Sequence, residues 1–425
     1  MTISFMPADF GSAARGASEP ESPIEPRSIG SIAARIRSAA ASPIAAERTA
    51  EVISAACALW RDPDNQRRRG AIARIAANSG LSDTLLAESL DALLVPFSAQ
   101  ALKSFAAKVK REPRLIGFVM PGNVAGAGTH ELAQALIAGA AVVAKSASSE
   151  PVFFARFART IAELDPEIAA RVCVLTFGRE RIDLTRVLLD ACDEMVVFGD
   201  DETVDSLSRG GSVIGFGSRV SGALISREAV APESIDSVSD GVARDITLFE
   251  QRGCLSPHHV FVECAARDDA RRFARALADA LDVLARKLGP PRAIDLGTAA
   301  AIRATRESSR WRKLAGAATD LWEGDRFAWT VVYDAEAAFR LSPLYRTVFV
   351  TPVADFTGFR AKLEAMKGRL EAFAVADPAG RLDRYRAWLS EAGVSYLAAP
   401  GMMQSPPFEW PHGNGAFLSR LIART

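Results

Sequence analysis

The sequence is poor in the residues from which metal and redox centres are built. Four histidines and five cysteines stand in 425 residues, with no CxxC, no HExxH and no clustering of the two types, so no metal site is expected. The odd, irregularly spaced cysteines also argue against a disulfide framework and for free thiols in a reducing compartment, read here as the cytoplasm. No apolar run approaches the roughly 18 residues of a membrane span, and the N-terminus lacks a signal-peptide core. Lys+Arg and Asp+Glu both number 51, so no net field argues for nucleic acid or an anionic membrane as partner. Only eight basic residues are lysine, a bias that fits genomic base composition better than phosphate recognition.

What is present is alternation. Residues 1–27, with "GSAARGASEPESPIEP", are rich in Ser, Pro, Gly and Glu and predict a mobile leader. From about residue 30 to 110 the pattern is helical: Ile44, Val52, Ile53, Ala56 and Trp60 fall near helical spacing, and Cys57 belongs to that core. The rhythm then changes. "RLIGFVM", "AVVAK", "RVCVLTF", "DEMVVFG" and "SVIGFG" read as short buried strands separated by helices, the pattern of a parallel doubly wound sheet. Cys173 and Cys192 lie in or beside those strands. Ile235, Val238, Val242, Ile246 and Phe249 mark one helix face, which Gly253 is placed to stop. "HVFVE", "FAWTVVY", "TVFVTPV" and "EAFAVA" repeat the alternation. The expected architecture is α/β: a leader over 1–27, a helical region plus a first α/β domain over 28–221, a second over 222–395, and a loop-like segment, 396–425, packing back.

Four motifs carry chemistry. In "PGNVAGAG" (121–128) a glycine-rich turn between strand and helix exposes backbone N–H groups to an anion or oxyanion, and Asn123 adds a side-chain amide; a plain tight turn explains it equally well. Lys145, in "AVVAKSASSEP", ends a strand where doubly wound sheets bind ligands, although a strand-end lysine is more often merely solvated. Asp200 and Asp201, in "VFGDDETVDSL", sit where a helix begins, and helix capping is the strong alternative to any ligand role. Cys254, in "FEQRGCLSPHHVFVE", lies at a turn between a helix and a strand. It is either a small apolar filler or a nucleophile. His258 and His259 are on the following strand, too extended to fold back onto that thiol, and His412 in "WPHGNG" has no assignable cleft.

Together, "KSASSEPVFFARFA", "VFGDDETVDSL…IGFGSRVSGALIS" and "RDITLFEQRGCLSPHHVFVE" resemble the aldehyde dehydrogenase superfamily, and within it the LuxC-like acyl-CoA reductase family of bacterial bioluminescence. The resemblance runs from about residue 114 to 265 and more loosely to "MQSPPFEWPHGNG". It implies an aldehyde dehydrogenase-like fold of two doubly wound α/β domains, the first for a nicotinamide cofactor. It casts Cys254 as the acylated thiol, Asn123 as the oxyanion-hole amide and Lys145 as the contact to the adenosine ribose. Gly199, Asp200 and Gly217 then border the cofactor.

Two departures bear on the reaction. Where aldehyde-oxidising members carry a water-activating glutamate this chain has Gly215, so hydrolysis of an acyl-enzyme should be slow. The "ExFGP" glutamate that grips the nicotinamide ribose has no counterpart in "SPLYRTVFV". Ser148, three residues after Lys145, replaces a glutamate that NAD-preferring members often place there, which favours NADPH (or NADH).

The implied reaction is reduction of an acyl-CoA, of fatty acyl type, to the aldehyde. Alternatives are a reductase of another activated acyl group, acyl phosphate or carrier-bound, and a catalytically silent scaffold. The expected partners are the acyl-CoA substrate, an acyl-activating synthetase and further copies of the chain in a homo-oligomer.

Overall fold

The computed structural model describes residues 2–6, 25–111, 113–264 and 266–422. Two compact units share the chain. The first comprises Met1–Ser79, Leu93–Ser218 and Pro407–Thr425, the second Gly80–Ala92 and Arg219–Pro406. The end of the 396–425 segment thus belongs with the first α/β unit. Most of the leader expected over 1–27 lies outside the described residues. Its edges do not behave as a leader: Thr2–Phe5 is a strand paired antiparallel to a strand of the first sheet, and Pro26 opens a helix.

In chain order the first unit contains β1 (Thr2–Phe5), α1 (Pro26–Ala41), α2 (Ala46–Arg61) and α3 (Gln66–Ser79). Helix α4 (Asp83–Leu94) straddles the boundary, and α5 (Ala99–Ala106) follows. The sheet region runs β2 (Leu115–Val119), α6 (Thr129–Ile137), β3 (Ala141–Ser146), α7 (Phe153–Leu164), α8 (Pro166–Ala169), β4 (Val172–Thr176), α9 (Ile182–Ala191), β5 (Glu194–Phe198), α10 (Asp201–Ser208) and β6 (Val213–Phe216). Strand order is β1-β4-β3-β2-β5-β6, parallel except for β1. Strands β2, β3 and β5 are buried at every position, which is why residues 115–119, 141–144 and 195–198 read as apolar runs. Ile29, Ile32 and Ile36 of α1 and Leu184 and Leu188 of α9 pack with this sheet in one core, each worth about 1.5–3 kcal/mol of burial.

The second unit runs β7 (Val220–Ile225), α11 (Ile235–Thr247), β8 (Pro257–Glu263), α12 (Arg267–Leu288), α13 (Leu296–Leu314), β9 (Thr319–Glu323), β10 (Thr330–Asp334), β11 (Thr347–Val353), α14 (Phe356–Leu363), β12 (Leu370–Ala376), α15 (Asp383–Glu391) and β13 (Tyr396–Ala398). Its sheet is ordered β13-β12-β7-β8-β11-β10-β9, with only β9 antiparallel to its neighbour. Phe261, Phe359, Phe373 and Trp388 centre its core. Helix α16 (Leu418–Leu421) returns to the first unit. Among the described residues no single helix is long and apolar enough to cross a membrane.

One local expectation fails. Gly253 does not stop α11. The helix ends at Thr247, and Gly253 has no left-handed φ; the chain instead turns through left-handed backbone at Phe249, Glu250 and Gln251. Tertiary contacts hold a conformation that these side chains do not favour, so local sequence carries no sign of it.

Candidate active site

Parallel register places the carboxyl ends of β2, β3, β5 and β6 along one edge of the first sheet, where open α/β sheets bind ligands. Val119 and Lys145 are paired across β2 and β3. The 121–128 loop and the 147–149 connection touch: Ser149 Oγ donates to the Gly122 carbonyl at 3.3 Å, and a Cβ on Gly122 would lie 2.2 Å from that Oγ. The fold therefore brings Asn123, Lys145 and Ser148 to one end of one sheet, with Asn123 and Ser148 exposed.

Lys145 is 8% exposed, and among the described residues its ammonium has no hydrogen-bond acceptor; the Phe177 ring lies 5.4 Å from Nζ. Burial lowers its pKa, and the Glu180 carboxylate opposes that shift. A nearly buried cation lacking an acceptor fits a ligand oxygen such as a ribose hydroxyl or phosphate. Glu180, missed in the sequence, is an acidic neighbour that no spacing rule would single out.

Gly199 and Gly217 follow β5 and β6. Both aspartates there have local work. Asp200 caps α10, its Oδ1 accepting from the Thr203 N–H at 2.8 Å, and the Thr203 hydrogen bonds hold its pKa below the usual range. Asp201 Oδ1 accepts from the Ser218 N–H at 2.8 Å, and a Cβ on Gly217 would come within 2.5 Å of it. The capping alternative thus describes the Asp200 carboxylate.

His412, unassigned in the sequence, has a defined place. Its Nδ1 lies 2.7 Å from Glu131 Oε1, and its ring stacks between Trp410 and Phe216, at 4.1 and 4.2 Å between centroids. Phe198 continues the stack. Burial pushes the Glu131 carboxyl up, but His412 and His130 outweigh that, and its pKa lies below the ordinary value. Glu131 stands in the first turn of α6, so a carboxylate already complements that helix's positive end.

In the second unit Cys254 is half-buried. Its carbonyl accepts from Ser221 Oγ at 2.6 Å, and that oxygen also accepts from the Ala372 N–H at 3.0 Å. Among the described residues nothing accepts from the Cys254 backbone N–H. Burial raises the pKa of the other four thiols: Cys57, Cys173, Cys264, and Cys192 to about 12. Before Cys254 come three left-handed non-glycine residues, Phe249 (φ 54°), Glu250 (φ 53°) and Gln251 (φ 61°). Facing them is a second such run, Leu344 (φ 71°), Tyr345 (φ 51°) and Arg346 (φ 58°). Each such residue costs about 1–3 kcal/mol, and clusters of them persist where surrounding contacts over-determine them.

His258 and His259 are not bases. Burial depresses their pKa values to about 4 and about 3, and their Nδ1 atoms accept from the Ser342 and Arg340 N–H groups at 2.9 and 3.0 Å. In "SPLYRTVFV" the Ser342 hydroxyl turns inward to the Thr347 carbonyl at 2.5 Å, and the segment offers no carboxylate. Asp245, another group the sequence did not reveal, accepts from the Gly401 and Met403 N–H groups at 2.7 and 3.0 Å; burial raises its pKa to about 7. Gln404 in turn donates to Ser256 Oγ at 3.1 Å, two residues from the thiol.

Solved structures share this fold. A NAD-dependent benzaldehyde dehydrogenase from Corynebacterium glutamicum aligns over 100% of this chain and 94% of its own, with a TM-score of 0.66 and 16% identity. An NADP-dependent glyceraldehyde-3-phosphate dehydrogenase from Bacillus halodurans aligns over 88% and 83%, with a TM-score of 0.65 and 14% identity. The fold is aldehyde dehydrogenase-like. In sequence, the long-chain acyl-protein thioester reductase of Aliivibrio fischeri is 24% identical over 302 residues, 69% of this chain and 60% of its own length. Long-chain acyl-protein thioester reductase 2 of Photobacterium leiognathi is 20% identical over 311 residues, 72% and 62%. The chain thus covers less than two-thirds of either curated relative. The acyl-CoA reductase (LuxC) family profile matches residues 106–424, most of the sequence, and this chain belongs to that family.

Proposed function

We propose that this chain reduces an acyl thioester to the aldehyde through an acyl-enzyme on Cys254, with NADPH (or NADH) as hydride source. The observation that carries the reading is the Cys254 turn: a half-buried thiol whose carbonyl is held by Ser221 while its own N–H has no acceptor among the described residues.

The Cys254 thiolate attacks the thioester carbonyl. The tetrahedral oxyanion takes the Cys254 N–H as a donor, an interaction typically worth about 3 kcal/mol. Its collapse breaks the bond to the departing thiol, which leaves as thiolate and takes a proton from solvent. The nicotinamide, when bound, supplies hydride to the acyl carbon. Cys254 is then expelled as thiolate and the aldehyde is free. Lys145 is the residue to hold the cofactor's ribose, Gly199 and Gly217 border it, and Ser148 leaves room for a 2′-phosphate that Glu180 opposes; we take NADPH on Ser148 and Lys145. With glycine at 215, no carboxylate at that position activates water against the acyl-enzyme.

The leaving thiol is coenzyme A or an acyl-carrying protein. The relatives' names favour giving the protein-bound thioester equal standing, and such a substrate would come from an acyl-activating enzyme. The test is Cys254→Ala, assayed by NADPH oxidation with acyl-CoA and by intact mass for a covalent acyl adduct. We expect both signals to vanish. Turnover retained by the variant, or no adduct on the parent enzyme with either thioester, removes the mechanism.

A further inference from the structure

The second unit holds its thiol turn by a device that the reaction scheme does not use. Glu250 and Arg346 form a two-pronged ion pair, 2.9 and 2.7 Å, with 2% and 0% of their surfaces exposed. Each lies in one of the facing left-handed runs. The Gln251 carboxamide bridges the same two segments: Oε1 accepts from the Thr347 N–H at 3.0 Å, and Nε2 donates to the Thr347 and Pro257 carbonyls at 2.9 and 2.7 Å. Arg252 follows suit, donating to Tyr345 Oη at 3.0 Å with its guanidinium over that ring. The Tyr345 N–H donates to the Glu250 carbonyl at 3.3 Å. Three consecutive residues, 250 to 252, are therefore fixed by the 345–347 segment, and Cys254 is the second residue after them.

Stability alone does not explain the arrangement. Buried ion pairs are often no better than apolar packing of the same shape, and Arg346 Nη1 is buried with no partner among the described residues. Left-handed Phe, Glu and Gln are strained, so the network enforces a backbone path that local sequence would abandon.

We propose that Glu250 and Arg346 are positioning residues for Cys254. Their pair locks the two left-handed turns together and so fixes the direction in which the thiol leaves the backbone. The consequence for turnover rests on the acyl-enzyme reading above; the consequence for the thiol does not.

The experiment uses the full chain with Arg346→Lys, which keeps the charge but loses the fork, Arg346→Met and Glu250→Gln. Alkylation of Cys254 by iodoacetamide is followed from pH 6 to 10 by peptide mass spectrometry, beside melting temperature and single-turnover acylation by acyl-CoA. We expect the midpoint of the alkylation profile to move in Glu250→Gln and Arg346→Met. Acylation at saturation should fall about 10- to 100-fold, the scale of a misplaced reacting group, with KM within about threefold and Arg346→Lys intermediate. Folded variants that keep the parent alkylation profile and acylation rate, losing only melting temperature, overturn the proposal. Should Arg346→Met fail to fold, Arg346→Lys and Glu250→Gln decide it. Should the parent enzyme form no acyl adduct, the functional reading fails, and the alkylation profiles alone decide the positioning role.

Discussion

Acid should loosen the second unit through two buried histidines, and the size of the effect can be worked out. His258 and His259 are neutral in the fold, with burial depressing their pKa values to about 4 and about 3 from an ordinary 6.5. For His259 the Arg340 and Lys362 charges add to burial and Asp334 opposes them. The unfolded chain therefore binds protons first. Their contribution is fully present above pH 6.5 and is lost as the pH falls from 6.5 toward 4 for His258 and toward 3 for His259. At pH 4.5, two units below the unfolded value, about 1.4 kcal/mol per unit gives about 2.7 kcal/mol per histidine, about 5 together. Asp245 acts in the opposite sense. Its raised pKa of about 7 means that protonation between pH 7 and its ordinary 3.8 favours the fold, returning about 3 kcal/mol by pH 4.5. Raw acid sensitivity is thus muted, and a difference measurement is needed. In His258→Asn and His259→Asn the amide oxygen can take over Nδ1's backbone hydrogen bond without titrating. Urea unfolding followed by tryptophan fluorescence should show each variant closing on the parent by about 2–3 kcal/mol between pH 7.5 and 4.5. Parallel pH dependence of parent and variants would refute the buried, neutral assignment.

Two further outcomes concern the first unit. Lys145→Met should weaken NADPH binding about 10- to 150-fold in a fluorescence titration, since a charge-assisted hydrogen bond contributes about 1.5–3 kcal/mol, while raising the melting temperature by removing a buried ammonium that has no acceptor among the described residues; an unchanged affinity takes the lysine out of the cofactor site. Gly215→Glu alone should destabilise by about 1–3 kcal/mol, because its Cβ would lie 2.1 Å from Val204 Cγ1. Adding Val204→Ala should relieve the clash, and the double variant should release free fatty acid from the acyl-enzyme. No gain in acid there counts against the missing-base account.

Particular residues show how far the sequence could be read. The parallel strands of the first sheet were legible because strands buried on both faces become continuous apolar runs, as at residues 115–119 and 141–144. Asp200 as a cap was legible because capping needs only neighbours three residues away. The path into Cys254 was not. Helical periodicity extends through Phe249, yet the helix ends at Thr247, and the residues that bend the chain away lie nearly a hundred positions later. The first strand, Thr2–Phe5, was hidden for the same reason: its partner is β4, and the neighbouring composition suggests a leader.

The sequence by itself determined the α/β alternation of strands and helices after about residue 110 and the few polar residues available at strand ends, because these depend on contacts within a turn or a strand. The tertiary structure decided which of those residues are occupied and which are open. His258, His259 and Asp200 are taken up by backbone hydrogen bonds, while the Lys145 ammonium has no acceptor among the described residues. It also decided the strained approach to Cys254, since left-handed backbone at Phe249, Glu250 and Gln251 is unfavourable locally and exists only because Arg346 and Thr347 hold it.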